Sequence, residues 1–155
     1  MTEFAFGPCR LTVDVKRTRD WYAAHGEVAG GCDCAYCRNF AAAVETVSPE
    51  IRDFFDALGL DIRKPREAME LGPGAEEHRL YESFYHLAGT LETNAPARLE
   101  IGEAEAGFSP DCDLLPEDFP RPCFQLNAAM ELPWVLKEPV AEELSSKSSF
   151  QENDL

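Results

Sequence analysis

Three cysteines within six residues carry the clearest chemistry in this sequence. Cys32, Cys34 and Cys37 lie in the stretch "GGCDCAYCRNF", directly after two glycines. Thiolates are common zinc ligands, and the glycines give the backbone the freedom to fold three sulfurs around one ion. A helix that starts at this stretch would favour the thiolate forms through its N-terminus, and the neighbouring Arg38 would act in the same sense. The spacing therefore predicts a metal site, with zinc as the ion.

A tetrahedral zinc ion needs a fourth ligand, which this stretch does not contain. We expect His25 to supply it, because the short glycine-rich connection closes a small loop at low entropic cost. His86 is the main rival as fourth ligand, and Cys9 is another. His78, in a predicted turn, is the weakest candidate.

The same cysteines allow a redox interpretation. "CAYC", from Cys34 to Cys37, begins a predicted helix and resembles the glutaredoxin-type tetrapeptide with Ala35 in place of proline. Such sites follow a buried strand, whereas the preceding "HGEVAGG" has no strand character, so a thioredoxin fold is not expected. A third interpretation is that the thiols bind nothing. The flanking Asp33 and glycines argue against it, because unreactive cysteines are usually buried.

Composition limits the partners of this chain. It has 155 residues and a net charge of −15. That charge repels nucleic acid and anionic membrane surfaces, so neither is an expected partner. No apolar run approaches the roughly 20 residues of a membrane helix. The N-terminal stretch contains Glu3 and no basic region, which argues against a signal peptide. We therefore expect a cytoplasmic protein, in which clustered cysteines indicate metal or redox chemistry.

The elements that would position the cysteines are predicted from periodicity and from capping residues. The second predicted helix carries the cysteine motif, and the third begins at Ser48 and Pro49. The predicted helices are Arg17–Gly26, Tyr36–Val47 and Pro49–Gly59. Alternation of apolar and polar residues predicts the strands. They are Cys9–Val15, Arg66–Leu71, Leu80–Glu92, Ala97–Ala104 and Cys123–Leu132.

These elements predict an α+β fold in which N-terminal helices pack on one face of a mainly antiparallel sheet. We expect Leu80–Glu92 to form a hairpin with Ala97–Ala104. Residues 1–139 would form a single domain. Residues 140–155 are polar and are expected to be a disordered tail, because they offer too little apolar surface to offset the entropy of ordering.

Four stretches together resemble a family of small bacterial proteins. They are "CDCAYCRNF", "FFDALGLDIRKP", "YHLAG" and "LPWVLKEP", and the resemblance extends from Arg10 to Pro139. It implies a bacterial cytosolic protein. It brings no catalytic residue and no substrate to this chain.

The apolar segment that follows Pro133 is the remaining feature with functional content. Pro133 cannot donate a ladder hydrogen bond, so regular strand pairing should end there or continue only at an edge. We expect Trp134 to fold back and cover the end of the core. Self-association, or docking of a protein partner, through this segment is the alternative. With the cysteines, the sequence indicates a zinc-binding structural or interaction module rather than an enzyme. The alternative is a thiol–disulfide protein that uses Cys34 and Cys37.

Overall fold

A computed structural model describes residues 1–93 and 98–140 of the chain. Three α-helices and a seven-stranded sheet make up this part, and every strand pairing in it is antiparallel, which confirms the predicted α+β fold. The helices are α1 (Val15–Ala24), α2 (Ala35–Ala43) and α3 (Pro49–Leu58). The strands are β1 (Thr2–Phe6), β2 (Cys9–Val13), β3 (Glu67–Pro73), β4 (His78–Leu91), β5 (Leu99–Ile101), β6 (Ala104–Ser109) and β7 (Cys123–Pro133). Short 3₁₀ turns span Val28–Gly31 and Val44–Thr46.

The long strand β4 organises the sheet. The strand order is β1-β2-β4-β7-β6-β5, and β3 also pairs with β4. β7 pairs with β4 along one edge from His78 to Ala88. On the other edge, β3 pairs with residues 79–84 and β2 with residues 89–91. The edge of β4 is therefore left without a strand partner between β3 and β2.

Helix α1 and its N-cap residue, Asp14, close this gap with two side-chain hydroxyls and one backbone amide. The Tyr22 hydroxyl donates to the His86 carbonyl at 3.2 Å and accepts from the His86 amide at 2.8 Å. The Ala88 amide donates to the Thr18 hydroxyl at 3.1 Å, and its carbonyl accepts from the Asp14 amide at 2.8 Å. These contacts satisfy buried backbone groups that would otherwise carry a desolvation cost. They also fix α1 on the sheet.

The core lies between the helices and one face of β4. Tyr81 packs on Phe40 of α2 with ring centroids 5.6 Å apart, and Tyr85 packs on Phe55 of α3 at 5.0 Å. The Tyr85 hydroxyl donates to the Ile62 carbonyl at 2.7 Å, so this buried polar atom has a partner. The first pair holds α2, and with it the cysteine motif, against the sheet, and the second pair holds α3 there.

The structure confirms some predicted elements and corrects one pairing. Helix α3 begins with Pro49 and ends at Gly59 in the left-handed conformation (φ 84°), as expected. The predicted hairpin between the strands at 80–92 and 97–104 is wrong, because β4 pairs with β7 and β5 pairs with β6. Gly102, at φ 58°, forms a two-residue turn that returns the chain at once into β6. Strand β1 was not predicted.

The predicted tail lies outside the described residues from residue 141 onward. Its first residue, Val140, is described and buried. The limit of the domain at residue 139 therefore stays a prediction. Within residues 1–93 and 98–140, no helix is long and apolar enough to cross a bilayer.

Candidate metal centre

A left-handed turn leads the chain into the cysteine cluster. Ala29, Gly30 and Gly31 all have positive φ, at 54°, 70° and 81°. A non-glycine residue in this conformation costs about 1–2 kcal/mol. Ala29 is held there by burial and by donation of its amide to the Arg63 carbonyl at 2.8 Å. The turn thus fixes the direction in which the chain reaches Cys32.

The three sulfurs meet where α2 begins. The Sγ atoms of Cys32, Cys34 and Cys37 all lie within 4.8 Å of one another. Cys34 is the N-cap residue of α2, and Cys37 lies in its first turn. Cys37 is buried, whereas Cys32 and Cys34 are exposed. Cys37 therefore lies on the protein side of the cluster, and Cys32 and Cys34 lie on its solvent side.

Hydrogen bonds and burial make the three thiols unequal. The pKa of Cys32 is lowered by a hydrogen bond from the Cys34 backbone and then by the thiols of Cys34 and Cys37. The pKa of Cys37 is raised, mainly by burial and then by its hydrogen bonds with the other two thiols. Further thiolates would place like charges side by side, which raises the cost of each proton lost. A divalent cation would remove that repulsion, so the arrangement of the three sulfurs is compatible with a metal ion.

A cavity of about 410 Å³ lies beside the sulfurs. Glu67 and Glu70 of β3 line it together with the cysteines. Glu70 is committed to Arg79, whose guanidinium donates to its carboxylate at 2.8 Å. A Cβ atom on Gly30 would lie 3.4 Å from the Cα of Glu67, so the left-handed turn runs directly against the start of β3. The exposed Glu67 is therefore the carboxylate best placed to approach the cluster.

The predicted fourth ligand, His25, lies apart from the three sulfurs. Its Nε2 is 3.0 Å from an Asp118 carboxylate oxygen, and its ring stacks on Trp21 with centroids 5.0 Å apart. Within the described residues, the group of ligand atoms contains the three cysteines and no histidine. His25 would have to leave both partners to bind a metal there.

The rival ligands also have other surroundings. His86 is buried, and its Nε2 lies 3.0 Å from the Asp113 carbonyl oxygen. The Nδ1 of His78 lies 2.9 Å from the carbonyl oxygen of Glu76, in the turn before β4. Cys9 is buried in the core on β2. The structure therefore brings together Cys32, Cys34 and Cys37, and none of the candidate fourth ligands.

Arg38 and Asn39, the two residues that follow Cys37, have structural roles that were not predicted from the sequence. The Arg38 Nε donates to the Asp33 carbonyl at 3.1 Å, and the guanidinium also pairs with Glu138. Asn39 is fully buried and donates to the Pro133 carbonyl at 3.0 Å, while its Oδ1 accepts from the Val135 amide at 2.7 Å. The sequence did contain one signal for this role, because Asn39 is a polar residue on the otherwise apolar, buried stripe of α2. The sequence does not indicate its partners, which lie more than 90 positions away.

The segment from Pro133 to Glu138, here called the C-terminal strap, thus lies on α2 beside the cysteine cluster. Trp134 is half-buried, with its ring 5.9 Å from the Tyr36 ring, and its Nε1 donates to the Glu138 carbonyl at 2.8 Å. The tryptophan does fold back onto a helix, but it covers the start of α2 and not the central core. Val135 is 42% exposed, so the strap presents some apolar surface.

Comparison of the chain with protein-family models, with curated proteins and with solved structures finds no match. The geometry of the cysteine cluster and its surroundings is therefore the feature of this molecule that bears on its function.

Gly30→Ala is expected to destabilise the left-handed turn that leads into the cysteine cluster. Both the backbone (φ 70°) and the space oppose a side chain, since a Cβ would lie 3.1 Å from the Arg66 carbonyl oxygen. We expect a loss of about 2–3 kcal/mol in the free energy of unfolding, measured by urea denaturation. Gly7→Ala is the matched control, because Gly7 has φ 58° but no atom within 4 Å of the added Cβ. Equal losses in the two variants would mean that the contact with β3 has no effect.

His86 is expected to make the fold sensitive to acid. Burial lowers the pKa of His86 from its ordinary value of 6.5, so the folded protein favours the neutral ring. The unfolded chain then binds the proton more readily, and stability falls as pH drops below about 6.5. We expect urea midpoints to decrease between pH 7 and pH 5, and to decrease less in His86→Gln. An equal decrease in both proteins would assign the acid sensitivity to other groups.

Proposed function

We propose that this protein is a zinc-binding module in which Cys32, Cys34 and Cys37 hold the ion at the N-terminus of α2. The observation that carries the proposal is the approach of the three sulfurs to within 4.8 Å of one another. Zinc accepts thiolates at about 2.3 Å, a distance that the loop can reach by small side-chain rotations. The bound ion would tie the left-handed turn to the helix, which is a structural role.

The fourth coordination position opens toward the cavity beside Glu67. We infer that a water molecule or the Glu67 carboxylate occupies it, because the cavity and the exposure of Glu67 allow both. His25 is disfavoured by its pairing with Asp118. A position held by water or by a mobile carboxylate can exchange for a ligand from a protein partner, which supports an interaction role for the module.

Metal analysis of protein purified without chelator tests the proposal. We expect one zinc per chain in the wild type and loss of zinc in Cys34→Ser. Cys112→Ser is the control, since Cys112 is a half-buried cysteine outside the cluster, and it should retain the metal. Equal zinc content in wild type and Cys34→Ser would refute the proposal. Thiolates also bind Cu(I) and iron–sulfur clusters, so the analysis should cover copper and iron.

Competition with a chromophoric chelator identifies the fourth ligand. Glu67→Gln should weaken zinc affinity about tenfold if the carboxylate coordinates, and should leave affinity unchanged if water does. His25→Ala should bind zinc as the wild type does. Loss of affinity in His25→Ala alone would place the histidine in the site and require its movement away from Asp118.

Thiol–disulfide chemistry is the second candidate function, and the inequality of the thiols favours it. Within the cluster, Cys32 has a lowered pKa and Cys37 a raised one, which is the asymmetry of an attacking and a resolving thiol. The sequence indicated Cys34 and Cys37 as the pair, whereas this asymmetry favours Cys32 as the attacking sulfur. Metal-free protein that forms a readily reversible disulfide at Cys37 would support this function over zinc binding.

A further inference from the structure

Two further cysteines contact each other outside the cysteine cluster, at the start of β7. The sulfurs of Cys112 and Cys123 are 3.9 Å apart, and both residues are half-buried. Cys123 is the first residue of β7 and lies opposite Ala88 of β4. Cys112 lies in the connection between β6 and β7. Small-molecule reagents can therefore reach a pair of thiols already in contact.

We propose that Cys112 and Cys123 form an intrachain disulfide that fastens the β6–β7 connection to the sheet. A disulfide has a sulfur–sulfur distance of about 2.05 Å, so the two sulfurs must approach by about 2 Å. Side-chain rotation can supply such a movement. The proposal is independent of the zinc site, because it uses neither the three clustered cysteines nor the metal.

Hydrogen bonds hold the pair in place before any bond forms. Asp113, next to Cys112, donates its amide to the Gln125 side chain at 2.7 Å and accepts from the same side chain at 2.9 Å. The Asp113 carbonyl also lies 3.0 Å from the His86 ring. Phe119, later in the same connection, is buried and packs against His86. Because the connection is already anchored at Asp113 and Phe119, between the two cysteines, the disulfide requires little reorganisation of the backbone.

The oxidant for the pair is a small-molecule disulfide such as oxidised glutathione. The Cys123 thiol loses its proton to water, its sulfur attacks one sulfur of the oxidised glutathione to form a mixed disulfide, and the other glutathione leaves as a thiolate that takes up a proton. The Cys112 sulfur then attacks the mixed disulfide at Cys123, loses its proton to water, and releases the second glutathione. Two protein thiols are oxidised, and one small disulfide is reduced to two thiols.

The protonation state of Cys112 explains why this thiol reacts second, after Cys123. Burial, followed by the adjacent Cys123, raises the pKa of Cys112 to about 12. Cys112 is therefore a thiol at neutral pH and a slow first nucleophile. Its contact with Cys123 makes it an effective resolving group, because the second step is intramolecular.

Oxidation of the full-length protein, reduced and saturated with zinc, tests the proposal. After treatment with oxidised glutathione, digestion with a protease that cleaves after Glu117 separates the two cysteines unless a disulfide joins them. We expect a linked peptide pair containing Cys112 and Cys123, and we expect dithiothreitol to remove the link. We also expect the melting temperature to rise by several degrees on oxidation, because the cross-link restricts the unfolded chain.

Two variants test the role of the resolving thiol and the independence of this pair from the zinc proposal. Cys112→Ser should retain one glutathione on Cys123, since the resolving thiol is missing. A variant with serine at Cys32, Cys34 and Cys37 should still form the Cys112–Cys123 link, which separates this pair from the zinc proposal. Stable glutathione adducts on both Cys112 and Cys123 in the wild type, without a linked pair, would overturn the proposal. So would a wild type in which Cys123 is linked to another cysteine.

Discussion

Gly89→Ala is expected to destabilise the protein by about 4–5 kcal/mol or to prevent it from folding. Gly89 lies where β2 joins β4, opposite Val13. A Cβ atom there would lie 2.0 Å from the Thr12 carbonyl oxygen and 2.9 Å from the Val13 Cα. Both are backbone atoms, so no side-chain rotation relieves the overlap. The backbone of β2 and β4 would have to separate.

The position of Gly89 makes this separation costly. The preceding residue, Ala88, forms the hydrogen bonds through which Thr18 and Asp14 fix α1 at the open edge of β4. Displacement of β2 would therefore also disturb α1 and leave buried backbone groups unpaired. A local clash thus affects two of the elements that enclose the core.

Gly72→Ala is the matched control for this prediction. Gly72 is also a strand glycine with positive φ, at 132° against 143° for Gly89, but no atom lies within 4 Å of its added Cβ. We expect Gly72→Ala to cost about 1–3 kcal/mol, the backbone strain alone. Urea denaturation followed by circular dichroism compares the two variants. If Gly89→Ala lost no more stability than Gly72→Ala, the close approach of β2 and β4 would be refuted.

The extent to which the fold follows from the sequence depends on the range of the signals. Helix α3 was predicted to within a residue because its start at Pro49 and its end at Gly59 are local signals. Strand β7 was predicted because its alternation lies within the strand itself. The partner of β4 could not be predicted, because pairing with β7 joins residues across the connection that contains Cys112 and Phe119. Sequence proximity favoured β5 instead.

The same distinction applies to the candidate site. The three cysteines were found because six consecutive residues contain them. The fourth ligand stays a prediction, because short sequence separation favoured His25 whereas the structure places that ring against Trp21 and Asp118. The short connection between His25 and the cysteines lowers the entropic cost of bringing them together, but the other contacts of the histidine decide whether they meet.

Helix α2 connects the cysteine cluster to the C-terminal strap. Arg38 contacts Asp33, which lies between two of the cysteines, and Glu138 of the strap. The next residue, Asn39, binds the backbone of Pro133 and Val135. Because these residues follow Cys37 directly, the orientation that places the sulfur in the cluster also places the strap. Arg38 and Asn39 therefore link the position of Cys37 to that of the strap.

Asn39→Ala is expected to release the C-terminal strap and to cost about 3 kcal/mol of stability. The Asn39 side chain is fully buried, donates to the Pro133 carbonyl at 3.0 Å and accepts from the Val135 amide at 2.7 Å. Its removal leaves these two groups unsatisfied, at about 1–3 kcal/mol each before relaxation. It also leaves a small cavity beside the Tyr81 hydroxyl, which lies 3.4 Å from the Asn39 Nδ2. The strap can recover hydrogen bonds to water only by leaving α2.

Limited trypsin digestion measures the release directly, since Lys137 lies within the strap. We expect cleavage after Lys137 to be at least tenfold faster in Asn39→Ala than in the wild type, because a cleaved segment must leave the protein surface. Asn127→Ala is the control: Asn127 is an exposed asparagine on β7, and its loss should cost about 1 kcal/mol or less. If Asn39→Ala were cleaved at the wild-type rate, the strap would be held by Arg38 and Tyr36 without Asn39. If it also lost no more stability than Asn127→Ala, the buried hydrogen bonds of Asn39 would contribute nothing net to the fold.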